Sequence, residues 1–143
     1  MIKRFFLFVS ILFIASLSYA DKVKSTIPVE VDSVQTKRIA ESLIRIIEYN
    51  TELKQSLVIE RMKTPEVKVV EKIEITKVTV GNKTIDFKAA AGVYIEDMKI
   101  EKGVVTFLVD YIYGGKGGGS ILVRCNVNAN NNKLSKLVCS EKK

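Results

Sequence analysis

The residue types best suited to chemistry are thinly represented in this chain of 143 residues, which has no histidine and two cysteines, Cys125 and Cys139. Without histidine or an unpaired thiol, the common pairings of nucleophile and base are lost, and serine, lysine, tyrosine and the carboxylates remain for catalysis. Asp86, Asp97 and Asp110 lie on predicted strands, where carboxylates face solvent or a cross-strand partner, and form no acid–base pair. We therefore expect a non-catalytic protein with no metal or other cofactor.

The segment Gly114–Ser120 holds five of the eight glycines and one charge, Lys116. Glycine amides approach anions closely, which invites a phosphate-binding interpretation. A P-loop, however, places its lysine at the start of a helix, whereas here Lys116 precedes three glycines and a strand pattern follows. A glycine-flanked loop is mobile, and this mobility keeps Ser120 and Lys116 from forming a preorganised nucleophile pair. We expect a flexible loop between two strands.

This loop is the candidate site of partner contact, because flexible tips bounded by rigid strands often carry contacts. Nearby in sequence are aromatic and cationic side chains of the kinds that protein interfaces favour. The candidate contact residues are Lys116, Tyr111, Tyr113 and Arg124. Two alternatives stay open: the tyrosines, with Tyr94, are core residues, and the loop is a spacer.

The N-terminus resembles a secretory signal peptide. Lys3 and Arg4 precede the apolar run Phe5–Leu17, and the following Ser-Tyr-Ala places small residues where a signal peptidase reads them. We expect cleavage after Ala20. An uncleaved anchor would have 16 uncharged residues before Asp21, fewer than the ~20 that span hydrocarbon as a helix. The mature protein is then exported, periplasmic or secreted, with no stable membrane insertion.

Export favours a disulfide between Cys125 and Cys139, because an oxidising compartment lets thiols pair and no third cysteine is left over. A metal site is disfavoured, since histidine is absent and the spacing is not that of a Cys-x-x-Cys motif. Setting Cys125 opposite Cys139 also sets Val127 opposite Leu137, so the crosslink and the hydrophobic pattern predict the same register. We expect the bond to staple the last hairpin.

The chain is basic, with 23 Lys and Arg against 16 Asp and Glu; the predicted cleavage removes two cations, leaving 21 against 16 and a net charge of +5. Lysines are interspersed with glutamates over Glu66–Lys77, which is typical of solvated strand faces and not of a nucleic-acid-binding stripe. We therefore expect a protein partner rather than nucleic acid. A patch that faces anionic lipid, a cell-wall polymer or an acidic partner stays open.

One long amphipathic helix is predicted over Asp32–Met62, ended by Thr64-Pro65. Residues at spacings of three and four share one face of it: Ile39, Leu43, Ile46, Asn50, Leu53 and Leu57. The preferred interpretation lays this face across a sheet of the same domain. The alternative is a short coiled coil, through which a homo-oligomer would form.

After Pro65 the apolar residues alternate, which predicts an antiparallel meander of about five to six strands. The hairpin that turns at Gly81-Asn82 has the predicted pairs Val78–Ile85, Thr79–Thr84 and Lys77–Asp86. The hairpin that turns at Lys102-Gly103 has the predicted pairs Ile100–Val105, Met98–Phe107 and Tyr94–Tyr111.

The expected architecture is a single α+β domain over residues 32–143, with the long N-terminal helix packed on the meander, after a signal peptide (1–20) and a lead segment (21–31). It is similar to the globular domains of type IV pilins and pseudopilins, and equally to cystatin-like and NTF2-like rolls. We expect a binding or assembly module of the cell envelope, in a pilus, secretion or conjugation apparatus. The alternative is a small ligand-binding roll or an enzyme, with an apolar pocket between helix and sheet.

Overall fold

The computed structural model describes residues 27–130 and 133–142, so the predicted signal peptide and residues 21–26 of the lead segment lie outside the described residues. Within them the chain forms ten β-strands and one short 3-10 turn, Phe87–Ala89. The strands are β1 (Val31–Ile39), β2 (Ser42–Tyr49), β3 (Leu57–Lys63), β4 (Lys68–Ile75), β5 (Lys77–Val80), β6 (Lys83–Asp86), β7 (Gly92–Glu101), β8 (Val104–Tyr113), β9 (Gly119–Asn128) and β10 (Val138–Glu141).

The strands form three antiparallel sheets. The first is the four-stranded meander β1-β2-β3-β4, the second is the four-stranded meander β7-β8-β9-β10, and β5 and β6 form a separate hairpin between them in sequence. Among the described helical segments, none is long and apolar enough to cross a membrane.

One apolar core joins the two large sheets into a sandwich. Alternate residues of β2 and β3 point inward from the first sheet, and alternate residues of β8 and β9 point inward from the second. Val78, Ile85 and Phe87 from the hairpin and the 3-10 turn complete the same cluster. The central buried side chains are Ile44, Ile46, Leu57, Ile59, Val105, Phe107, Val109, Val123, Cys125 and Val127.

The predicted helix over Asp32–Met62 is wrong: this segment forms β1, β2 and β3, and the described residues contain no α-helix. The α+β architecture, the helix-based homo-oligomer and the similarity to helix-containing pilin and roll domains fall with it. In β2 the side chains of Ile44 and Ile46 are fully buried while those between them are half-exposed, which is the two-residue period of a strand.

Two physical features override the helical spacing. The segment is rich in β-branched residues, including Ile44, Ile46 and Ile47, whose restricted side chains favour a pleated sheet over a helix. Its first turn is formed by Ala40 and Glu41. Ala40 adopts a positive φ of 50°, although glycine or asparagine usually occupies such a turn position and neither is present here. The predicted stop at Thr64-Pro65 does coincide with the end of β3.

The hairpin at Gly81-Asn82 is confirmed, with Val78 opposite Ile85 and Lys77 opposite Asp86. The hairpin at Lys102-Gly103 is confirmed near its turn, where Ile100 pairs with Val105. Farther from that turn the predicted pairs fail, because β7 carries a bulge between Glu96 and Lys99, where Asp97 has a positive φ of 50°. The extra residue shifts the register, so that Tyr94 pairs with Asp110 and Tyr111 pairs with Val93.

Two hydrogen bonds, Lys37–Ile100 and Leu134–Glu71, connect the first sheet to the second half of the fold at the end of the sandwich opposite the glycine-rich loop. The ammonium of Lys37 in β1 donates to the carbonyl oxygen of Ile100 in β7 at 2.6 Å. Arg61 Nε in β3 donates to Glu71 Oε2 in β4 at 2.7 Å, and the backbone N–H of Leu134 donates to the same oxygen at 2.9 Å. Glu71 therefore ties the segment after β9 to the first sheet.

The stability of the protein should fall at acidic pH through Glu71. The hydrogen bond from Arg61 lowers the pKa of Glu71, burial opposes this, and the Leu134 N–H and the charges of Arg61 and Lys133 lower it further. A lowered folded-state pKa contributes stability above the ordinary value of 4.5, which is lost as the pH falls through the folded-state value.

We expect Glu71→Gln to cost about 1 kcal/mol at pH 7, because one charge-assisted contact at a partly exposed site is lost. Urea unfolding followed by circular dichroism between pH 3 and 7 should show that the free energy of unfolding falls less steeply with decreasing pH in this variant than in the native chain. In the double variant Arg61→Met/Glu71→Gln, this pH dependence should be no smaller than in Glu71→Gln. An unchanged pH dependence in Glu71→Gln would contradict the assignment.

Candidate functional site

The glycine-rich loop is shorter than predicted, because Gly119 and Ser120 belong to β9. It consists of residues 114–118 and joins β8 to β9 at one end of the sandwich. The amide of Gly118 donates to the carbonyl of Gly115 at 3.2 Å, and Gly115 and Gly117 adopt φ values of 113° and 91°. These values lie outside the range of most side-chain-bearing residues, so the loop requires glycine to make its turn.

Tyr113 lies across the base of this loop. It pairs directly with Gly119, and a Cβ built on Gly119 would come within 2.6 Å of the Tyr113 hydroxyl. The missing side chain at Gly119 therefore makes room for the tyrosine ring. Tyr113 is 39% exposed as a residue, and its ring stacks on that of Tyr111 at a centroid distance of 6.4 Å and has the Lys83 ammonium 5.9 Å from its centroid.

Of the four predicted contact residues, the structure brings three to this end of the sandwich. Tyr111 packs half-buried against the core, Tyr113 is exposed beside it, and Lys116 is exposed in the loop. Arg124 lies elsewhere: it is exposed on the outer face of the second sheet, opposite Leu108, whereas Tyr111 and Tyr113 follow the inward-facing alternation of β8. We call Lys83, Tyr113 and Lys116 the loop-end patch.

The three aspartates considered for chemistry lie apart. Asp86 pairs with Lys77 and accepts a hydrogen bond from the backbone N–H of Lys88 at 2.9 Å. Asp97 occupies the bulge of β7. Asp110 lies on the outer face of β8, where its Oδ1 is buried without a hydrogen-bond partner. Across residues 27–130 and 133–142, no three His, Cys, Asp or Glu residues are grouped so that they could hold a metal ion.

An acidic cleft near the loop end was missed by sequence reasoning. It has a volume of about 460 Å³ and lies between β7 and the β1–β2 edge of the first sheet. Its carboxylates belong to Asp32, Glu48, Glu52 and Glu96, and the Ser33 hydroxyl donates to Glu48 Oε2 at 2.8 Å. These residues are distant in sequence and three of them fell within the predicted helix, so the sequence carried no signal of their proximity.

The predicted pairing of Tyr94 with Tyr111 is wrong, and Tyr94 lines one side of this cleft with 54% of its surface exposed. The bulge in β7 turns it away from the core, and no glycine marks that bulge in the sequence.

Comparisons with protein-family models, with curated proteins and with solved structures each found no match to this chain. A function is therefore inferred from the geometry of the loop end.

Proposed function

We propose that the protein is an exported, non-catalytic protein of the cell envelope that acts as a binding or assembly module. It contacts a protein partner through the loop-end patch, in an apparatus such as a pilus, a secretion system or a conjugation system. The observation that carries the proposal is a glycine-rich loop on a crosslinked sandwich with an exposed tyrosine at its base. Export itself is proposed from the N-terminal sequence pattern.

The strands that hold the loop are long and fully paired. β8 and β9 pair without interruption from Tyr113–Gly119 to Val104–Asn128, and the disulfide fixes β9 to the edge strand β10. The loop is thus a short adaptable segment on a rigid base, an arrangement in which the scaffold limits how much of the loop must be ordered on binding.

The loop-end patch has the side chains that a protein interface uses at low entropic cost. The Tyr113 ring offers a large amphipathic surface with few rotatable bonds, and aromatic residues are enriched in interface cores. Lys83 and Lys116 add two positive charges at its rim. A partner surface with acidic residues around an apolar centre fits this chemistry.

The alternative of a small ligand-binding roll is less well supported. That interpretation placed its pocket between a helix and a sheet, whereas the side chains between the two large sheets form one packed core. The acidic cleft lies at the margin of the sandwich, and its residues form no grouping that could hold a metal.

Replacing residues 114–118 by the dipeptide Asn-Gly tests the proposal. Since Tyr113 and Gly119 already pair, a two-residue turn closes the hairpin, and we expect a change in unfolding free energy of about 1 kcal/mol or less. We expect the variant to lose the envelope phenotype and the partner that co-purifies with the native exported protein. Tyr113→Ser, which keeps the loop, should weaken co-purification in the same direction.

The matched control is Lys102→Asn, which creates the same Asn-Gly turn between β7 and β8 at the opposite end of the sandwich. It should retain both the phenotype and the partner. If the shortened loop also retains both while its stability is unchanged, the loop is a spacer and the contact proposal is wrong.

A further inference from the structure

The two large sheets leave four strand edges, and among the described strands three carry features that hinder further pairing. β10 has four residues, β7 is interrupted by the bulge at Glu96–Lys99, and the pairing of β4 shifts between Arg61 and Met62. Short, bulged or irregular edges are the usual protection against edge-to-edge association. The remaining edge, β1, carries its register shift near its start, between Val31 and Ser33, and is regular over the seven residues 33–39.

The edge of β1 is open to solvent. The five consecutive residues from Val34 to Arg38 are all exposed, on both faces of the strand. Lys37 extends its side chain toward β7, where it donates to the carbonyl of Ile100, and among the described strands β2 alone pairs with β1. A seven-residue strand with an exposed backbone edge is a template for one more strand.

The geometry of the β1–β2 hairpin decides which backbone groups are available. Ile39 and Ser42 flank a two-residue turn and so form its closing hydrogen-bonded pair. Because hydrogen-bonded pairs alternate along an antiparallel ladder, the odd-numbered residues of β1 bond to β2. The N–H and C=O groups of Val34, Thr36 and Arg38 therefore point outward, and an antiparallel copy of β1 must pair even with even residues.

A two-fold axis at Gln35 satisfies this requirement and matches the side chains. It sets Gln35 opposite itself and gives the pairs Val34–Thr36, Ser33–Lys37 and Asp32–Arg38 between the two copies, and the regular pairing ends at Asp32, where β1 carries its bulge. Moving the axis to Thr36 sets Arg38 opposite Val34, and moving it to Val34 sets Lys37 opposite Val31. Within β1, the register at Gln35 is the one of these three that joins opposite charges, those of Asp32 and Arg38.

The charges at the two ends of β1 favour the same arrangement. The acidic cleft, with Asp32, Glu48 and Glu96 in its walls, lies at the start of the strand. Lys37 and Arg38 lie at the end of the strand, and Arg38 Nη1 makes one long contact of 3.5 Å with the Thr64 hydroxyl. Antiparallel pairing brings the cationic end of each copy to the acidic end of the other, so the favourable charge contact forms twice, once on each side of the two-fold axis.

We propose that β1 pairs antiparallel with β1 of a second copy of this chain, with the two-fold axis at Gln35, so that the two first sheets become one sheet of eight strands. The loop-end patch takes no part in this contact. The two Val34–Thr36 pairs supply about four backbone hydrogen bonds, and Asp32, the bulged residue of β1, ends the pairing on each side.

The oligomeric state of the exported protein tests the proposal. Sedimentation equilibrium from about 10 µM to 1 mM protein should show a monomer–dimer equilibrium, as expected for a contact made by one strand edge. Thr36→Pro removes an outward N–H without touching the bonds to β2, and should raise the dimer dissociation constant at least about tenfold. Thr36→Val keeps that N–H and should dimerise like the native chain.

Charge reversal tests the register. Arg38→Glu sets like charges opposite one another and should weaken the dimer about tenfold, as should Asp32→Lys. The double variant Asp32→Lys/Arg38→Glu should restore dimerisation. Recovery in the double variant supports an axis at Gln35, and failure to recover overturns that register.

A covalent readout completes the test. Cysteines at Gln35 would face one another across the axis at a separation of about 4.5 Å between Cα atoms, close to the 4.1 Å of Cys125 and Cys139. Gln35→Cys should form a disulfide-linked dimer, and Thr36→Cys should not. A chain that stays monomeric at 1 mM, or a dimer that resists Thr36→Pro and Arg38→Glu, overturns the proposal. A monomer with exchange-protected Thr36 amide would show that the chain covers this edge itself, which also overturns it.

Discussion

Replacing Phe107 by alanine is expected to lower the free energy of unfolding by about 3–5 kcal/mol, the largest effect we expect from a single substitution in this protein. The Phe107 ring is fully buried in β8, a central strand of the second sheet, and lies opposite Cys125. Its removal leaves a cavity between two sheets whose strands are fixed by their ladders, so the surroundings cannot collapse to fill it. With a total stability of about 5–15 kcal/mol, the loss consumes a large fraction of the whole.

Urea unfolding followed by far-ultraviolet circular dichroism measures this loss, since the chain has no tryptophan to report by fluorescence. Tyr94→Ala is the matched control, because it removes an exposed aromatic ring from the neighbouring strand β7 and should cost about 0.5 kcal/mol. Equal losses in the two variants would mean that the facing sheets do not share one packed core.

Local signals in the sequence predicted the hairpins well. The turns at Gly81-Asn82 and Lys102-Gly103 place glycine where the backbone needs a positive φ, 57° at Gly81 and 77° at Gly103. Alternating apolar residues on either side then specify the register close to each turn. Pairing over a few residues from a marked turn depends on neighbouring residues alone, so the sequence contains the necessary information.

The first sheet could not be predicted in this way. Its residues also satisfy a helical spacing, and the choice between strand and helix depends on packing against β8 and β9, which lie more than forty residues away in the chain. The turn at Ala40 carries no glycine, and the bulge in β7 carries none either. The strand pairing of the first sheet and the bulge in β7 both depend on tertiary packing, and the bulge sets the position of Tyr94.

The sequence predicted the candidate site only in part, because some of its residues are neighbours in the chain and others meet only in the folded structure. The loop and Tyr113 are contiguous along the chain, so the sequence placed them together. Arg124 is eleven residues from Tyr113 across the loop, and whether it shares their face depends on the strand alternation counted from the pair Tyr113–Gly119. The acidic cleft joins residues from two sheets, which no local pattern indicates.

Removing the disulfide is the second large change, and we expect it to cost about 2–4 kcal/mol. The predicted bond is present between Cys125 and Cys139, directly opposite one another on β9 and β10, and it closes a loop of sequence separation 14. In the chain-entropy model a loop of that length contributes about 3 kcal/mol by restricting the unfolded chain. The double variant Cys125→Ser/Cys139→Ser should fold with a lower urea midpoint.

The loss should also be local, because β10 is a four-residue edge strand that pairs on one side with β9. Without the crosslink, the amides of Val138–Glu141 should exchange with solvent faster than those of β8, which stays paired on both sides. Cys125→Ala/Cys139→Ala is the matched control, since Cys125 is fully buried and serine would add a hydroxyl to the core. The alanine pair should show the same faster exchange in β10 with a smaller loss of global stability. Two titratable thiols in the denatured, unreduced protein would contradict the bond itself.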